Sequence, residues 1–301
     1  MANPTAKTAT ETTTETIPEA SATAASDTSD NSAADTVADT IPDTDTLKAS
    51  EQGLYLYCFC YAQPPLPWLE GLPEHPAPQL LVYQDLAAVL SVATTAKYRP
   101  SRRNVLRHHE VIAARMQQSP VLPLRFGSVA PSLTALQRLL QQQAATLREQ
   151  LEALRGYAEY ALTLSWADEQ AAAQQLGQHD PTVQAYRQRA QRQGGQLGYH
   201  ESIQVGERVA QLLSQAATHQ QQDLQRLCQQ HAYKVLELES KESQTISRLS
   251  LLMEPAHYPA LLRDLERFDQ HYEQHYSPLR LSLSDPLPPF SFSDMQLHWQ
   301  A

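Results

Sequence analysis

The chain has 301 residues and a formal net charge of −10. Its first 50 residues hold nine acids, two lysines and no aromatic residue, a net charge of −7, so residues 51–301 carry only −3. That balance excludes a broad phosphate-binding surface, and no window approaches the ~18 uninterrupted apolar residues of a membrane span.

Residues 1–51 read as a disordered acidic leader, because Thr, Ala, Ser and Asp bury too little apolar area to offset the entropy of ordering. The leader has neither the apolar run of a signal peptide nor the arginines of a transit peptide. LYLYCFCY (54–61) then reads as a strand buried on both faces, with Cys58 and Cys60 on one face. Three sparse cysteines without a C-x-x-C motif read as buried, reduced thiols, Cys228 lying on a later helix. A proline-rich loop follows, and QLLVYQDLAAVLSVA (79–93) reads as two short strands meeting near Gln84 and Asp85. Ser101 opens a helix with Val105, Ile112 and Met116 on one side. The arginines Arg99, Arg102, Arg103 and Arg107 read as its solvated start, and Ser119-Pro120 stops it.

VLPLRFGSV reads as a further strand. Pro131 suits the first turn of a long helix marked by Leu133, Leu136, Leu140, Ala144, Leu147, Leu151 and Leu154, which Gly156 ends. AEYALTLSW (158–166) alternates as a strand. Helical sequence runs to about residue 231, broken at Asp180-Pro181 and Gly194-Gly195. AYKVLELES and TISRLSLLM read as a hairpin around Lys241-Glu242-Ser243. A helix follows from about His257 to His275, and LRLSLS (279–284) is the last strand. This βαββαβ order is the ferredoxin-like arrangement with an enlarged first helical crossover. One sheet face is apolar and calls for helices (Leu162, Leu164, Leu249, Leu251, Leu279, Leu281, Leu283). The other carries Thr163, Ser165, Arg248, Ser250, Arg280, Ser282 and Ser284. Serine and arginine in place of displayed aromatics speak against RNA binding.

No G-x-G-x-x-G, P-loop, G-x-S-x-G or H-E-x-x-H motif occurs. His108, His109 and Glu110 are adjacent on a helix and point apart, so they cannot converge on one metal. His271 and His275 have i, i+4 spacing and read as an exposed helix end, and Asp264, Glu266 and Asp269 as a solvated face. Arg125 can be read as an anion ligand for a substrate carboxylate or phosphate, or as an architectural side chain paired within the fold. With no nucleophile, base or metal motif beside it, the architectural reading is preferred. The alternative is a small-molecule-binding protein or enzyme with a pocket near Arg125.

Several segments in order carry a resemblance: GLYLYCF, LRHHEVIAARM followed by VLPLRFGSVA, LRGYAEYALTLSW, GYHESIQVGERVAQLL and the ending LRLSLSDPLPPFSFSDM. Over about residues 53–297 the chain resembles the gas vesicle protein F/L family. The resemblance implies an accessory protein of gas-filled, protein-walled compartments, cytoplasmic and gas vesicle in location. It would bind the small hydrophobic main shell protein and other accessory proteins, support assembly, limit premature aggregation and enter the wall as a minor component. It implies no catalytic residues, cofactor or metal. It also implies an α+β chain of two domains: an N-terminal α/β domain, then a modified ferredoxin-like domain, then a C-terminal tail. The expected divisions are 52–156 including the linking helix, 157–285 with its helical insertion, and 286–301. Within them Arg125, Phe126 and Gly127 are candidate architectural residues. Arg280, Leu287, Phe290 and Phe292 are candidate partner-binding residues, the tail folding back to cover apolar surface.

Overall fold

The structure is a computed structural model that describes residues 53–64, 76–95, 97–192, 194–240, 244–275, 279–293, 295, 297 and 299. The acidic leader and the tip of the 241–243 turn lie outside the described residues.

The first sheet contains β1 (Leu54–Tyr61), β2 (Gln79–Tyr83), β3 (Leu86–Val92), β4 (Val121–Pro123) and β5 (Val129–Ala130). β2, β3, β1 and β4 lie side by side in that order, and β5 also pairs with β1. Its two faces bury different residues. Leu54, Leu56 and Phe59 join the leucine-rich core under helix α2 (Leu133–Ala153), and Tyr55, Tyr57, Cys58 and Cys60 join the core under helix α1 (Arg102–Met116). Strict alternation would separate Tyr57 from Cys58, but a β-bulge between Leu56 and Cys58 shifts the register and turns both the same way. At the strand's start Gly53 has φ +88°, and an added Cβ would sit 2.3 Å from the Ala130 carbonyl oxygen, so no other residue fits there.

Three local expectations change. VLPLRFGSV is not one strand: Ser128 N–H donates to the Arg125 carbonyl (3.1 Å) with Gly127 at φ +86°, the position of a type II turn that needs positive φ. Pro131 precedes the helix start, because Ser132 is the N-cap, its hydroxyl accepting from Ala135 N–H. Helix α1 buries Ile112 and packs Met116 against the core as expected, but departs from the expected polarity in its first turns. It buries Asn104, Arg107, His108 and Arg115 beside Val111 and Ile112, and leaves Val105 and Leu106 41% and 50% exposed.

The second sheet has the order β7 (Lys234–Glu237), β8 (Thr245–Met253), β6 (Ala158–Trp166), β9 (Leu279–Leu283), all antiparallel. This is the ferredoxin-like order, with the two outer strands at the edges. Its enlarged crossover is α3 (Glu169–His179), α4 (Pro181–Arg192) and α5 (Tyr199–Gln229); α6 (Tyr258–His275) is the second crossover. Leu162, Leu164, Leu249 and Leu251 meet Leu224, Leu261, Leu265 and Phe268 on the helix-covered face. On the opposite face Leu252 packs into the first sheet's leucine core, while Arg248, Arg280 and Ser282 stay exposed. The chain is therefore α+β, built on two antiparallel sheets whose cores meet at Leu252.

Candidate partner-binding surface at the C-terminal tail

The tail begins where β9 ends. Ser284 N–H donates to the Ala161 carbonyl (2.9 Å), and the Ser284 hydroxyl accepts from Ala161 N–H (2.9 Å). Asp285-Pro286 then interrupts the ladder, since proline supplies no N–H. Pairing resumes for one residue: Leu287 N–H donates to the Glu159 carbonyl (2.8 Å), and Glu159 N–H donates to the Leu287 carbonyl (3.0 Å). Pro288 and Pro289 are buried, and Phe290–Phe292 form a short 3₁₀ turn.

The Glu159 side chain holds that turn. Its buried carboxylate accepts from the Ser291 hydroxyl (2.6 Å), the Ser291 N–H (2.8 Å) and the Ser250 hydroxyl (2.7 Å). Among the described residues it makes no salt bridge, so these three donors are what compensate a carboxylate taken out of water. Beyond the turn, the Ser293 hydroxyl donates to the Pro123 carbonyl (3.3 Å), and Phe292, Met295, Leu297 and Trp299 pack against the first sheet's leucine core. The tail thus runs from the last strand of one sheet onto the core of the other.

The two tail phenylalanines have different surroundings. Phe292 packs inward, whereas Phe290 remains 36% exposed and stacks on His109 of α1, with ring centroids 6.1 Å apart and planes at 24°. His109 lies one helical turn from both Val105 and Leu106, so the exposed Val105, Leu106 and Phe290 side chains are grouped around the half-buried His109 ring. Exposed Arg102 and Arg103 border it at the start of the helix.

The underside of α1 is fixed by His108. Its Nε2 donates to the Leu124 carbonyl (2.9 Å), and its Nδ1 lies 2.9 Å from the Tyr55 hydroxyl. Tyr57 stacks on the same ring at 5.5 Å, and Phe126 meets it edge-on at 5.8 Å. Gly127 N–H donates to the Tyr55 hydroxyl (3.3 Å). Phe126 and Gly127 therefore lie at the joint of β1, α1 and the 125–128 turn. Arg125 does not take the buried, paired position expected of it. Its side chain is exposed and makes no hydrogen bond or ion pair among the described residues, because the turn swings it away from the sheet. The buried guanidinium here belongs to Arg115, 1% exposed, which donates to the Pro64 carbonyl and the Gln118 amide oxygen, both at 3.0 Å.

Two cavities, of about 540 Å³ beside Asp168–Gln170 and about 460 Å³ along Thr94–Asn104, have walls that do not include Arg125, so neither favours a ligand pocket around that residue. Among the described residues no group of three or more His, Cys, Asp or Glu could hold a metal ion. The described cysteines are free and buried; burial pushes the Cys60 and Cys228 thiols up to about 12 and Cys58 well above its usual value, making them poor nucleophiles. No described helix is long and apolar enough to cross a membrane.

A sequence model of the family described as gas vesicle synthesis protein GvpL/GvpF matches residues 53–294. The chain belongs to that family. Gas vesicle protein F of a Streptomyces species is 27% identical over 222 residues, covering 74% of this chain and 90% of that protein. Gas vesicle protein F of a Nostoc species is 32% identical over 165 residues, covering 52% and 64%. The crystal structure of GvpF from an Anabaena species superposes with a TM-score of 0.68 at 26% identity, covering 81% of this chain and 99% of that one. GvpF from Microcystis aeruginosa shares the fold, with a TM-score of 0.63 at 23% identity and the same coverage. The matched region of the family includes α1, Glu159 and the tail turn, so this surface lies within the family core.

The candidate residues fall into two groups. Leu287, Phe290 and Phe292 are brought together by the tail, whereas Arg280 stands apart on β9, opposite Ser165. Sequence reasoning missed Glu159, Val105 and Leu106. Glu159 was legible only as an acid in an alternating strand, and its partner Ser291 lies 132 residues away. The exposed apolar pair was visible in part, as two apolar residues directly following Arg102-Arg103-Asn104.

Proposed function

We propose that this member of the gas vesicle family is an assembly accessory protein. It binds the main hydrophobic shell protein through the surface of Val105, Leu106, His109 and Phe290, and so limits that protein's premature aggregation in the cytoplasm and at the growing vesicle. One observation carries the reading. A helix that buries Asn104, Arg107 and His108 in its first turns while exposing Val105 and Leu106, extended through His109 by a phenylalanine from the far end of the chain, leaves an apolar surface open among the described residues. A shell subunit that assembles through apolar faces and strand edges is an aggregation hazard before it is incorporated. Covering such a face requires complementary surface and no bond making, which is compatible with the inert, buried thiols.

The test is co-expression with the shell protein and co-purification. Leu106→Asp and Phe290→Ser, both at exposed positions, should leave the thermal midpoint near wild type and abolish or strongly reduce recovery of the shell protein. Phe292→Ser should instead destabilise the protein, because that ring packs against the leucine core. Undiminished co-purification of shell protein with folded Leu106→Asp/Phe290→Ser refutes this surface. No recovery with wild type refutes the function.

A further inference from the structure

The second sheet ends at β9, and how that edge is finished points to a second partner. The Ser284 N–H bond to Ala161 sets the phase of the strand. Even-numbered residues turn their backbone groups toward β6, while Leu279, Leu281 and Leu283 turn theirs outward, with no strand beyond them among the described residues. The described tail residues do not cover this edge, because the tail continues along β6 at Glu159. Other sheet ends carry guards. β7 is four residues long with exposed Lys234 and Glu237, and β2 follows directly on Pro76 and Pro78. β9 has no acid and one exposed cation, Arg280. An uncapped strand edge of this kind is a template for another strand.

The side-chain pattern selects the occupant. About a twofold axis through Leu281 and perpendicular to the sheet, Leu281 faces its own copy and Leu279 faces Leu283 of the other chain. All of them lie on the helix-covered side, where these leucines already pack against the second core. Arg280 faces Ser282 of the other chain on the open side, so the single cation of the strand never meets itself. Each of the leucine pairs has its N–H and C=O pointing across the gap, the arrangement in which an antiparallel pair exchanges both hydrogen bonds. We propose that two copies of this chain join β9 to β9 in this register, making one continuous antiparallel sheet across the dimer.

Sedimentation velocity of the full chain over a wide range of concentration should show a monomer–dimer equilibrium. Ser282 is exposed and faces Thr163 within its own chain, so charging it should not disturb the monomer fold. Ser282→Arg places like charges opposite each other at two symmetric points and should raise the dimer dissociation constant by roughly 2- to 30-fold. Ser282→Glu places an acid opposite Arg280 at the same two points and should lower it. Circular dichroism and the thermal midpoint of dilute samples confirm that both variants are folded. A wild-type chain that stays monomeric throughout, or a dimer in which the two substitutions do not shift affinity in opposite directions, overturns the proposal. Shell-protein recovery through the α1 and Phe290 surface should not change with either variant, so the outcomes of the two experiments are independent.

Discussion

Glu159 provides the most direct test of what holds the tail. Glu159→Ala removes the common acceptor of the Ser250 hydroxyl, the Ser291 hydroxyl and the Ser291 N–H. Ser250 is fully buried, so its hydroxyl loses its partner without access to water, whereas half-buried Ser291 can turn to solvent once the tail loosens. A buried donor left unpaired costs about 1–3 kcal/mol, and hydrogen bonds to a charged acceptor contribute about 1.5–3 kcal/mol each. Removing a buried carboxylate with no counter-cation returns part of this, since its desolvation had opposed folding. The net expectation is a loss of about 2–4 kcal/mol in urea unfolding, with Glu159→Gln in between because its NH₂ cannot accept from Ser291. In a double-mutant cycle with Ser291→Ala the coupling should exceed ~1 kcal/mol, and chymotrypsin should cut after Phe290 and Phe292 faster in each single variant. A Glu159→Ala protein within ~0.5 kcal/mol of wild type, or strict additivity with Ser291→Ala, would show that this carboxylate does not hold the tail.

Gln220 is fully buried in α5 and, among the described residues, neither its amide oxygen nor its amide nitrogen has a partner, so Gln220→Leu should stabilise the protein by about 1–2 kcal/mol in thermal or urea unfolding; a loss would mean the amide is satisfied. Arg125→Ala should change stability by less than ~0.5 kcal/mol, and Arg115→Ala should cost about 2–4 kcal/mol, a contrast that side-by-side urea melts resolve. Asp180 accepts from Val183 N–H at the start of α4 and pairs with Arg208 at 2.8 Å, which holds its carboxyl below the ordinary 3.8. A depressed folded-state value gives stability that is complete above the unfolded-state value and lost as pH falls through the folded one. Arg208→Met should therefore destabilise at neutral pH and flatten the stability profile below about pH 4; an acid profile parallel to wild type contradicts the assignment.

Periodicity and punctuation sufficed for most elements of this chain. The leucine spacing of 133–154 marks α2, Asp180-Pro181 breaks α3 from α4, and the alternation in AEYALTLSW and LRLSLS marks β6 and β9 with the correct face toward the helices. These features are local: side-chain spacing sets which face is apolar, and proline or glycine sets where regular backbone stops. The βαββαβ order then leaves few ways to build the sheet, so both edge strands followed from the order alone. What depended on contacts between distant residues was not legible. The bulge at Tyr57 reverses the parity of β1, and it is set by the pairing with β3, a strand more than 25 residues further along the chain. Arg125 looked embedded in a strand, but the Gly127 turn carries it into solvent, while Arg115, unremarkable in a helix, becomes the buried guanidinium because the backbone at Pro64 supplies it an acceptor. Phe290 and Phe292 are two residues apart and chemically identical, yet one packs in the core and the other is displayed on α1. The Glu159 carboxylate, on the strand that the tail pairs with but 132 residues away in sequence, hydrogen-bonds the residue between them and sets the turn, so tertiary structure alone distinguishes them.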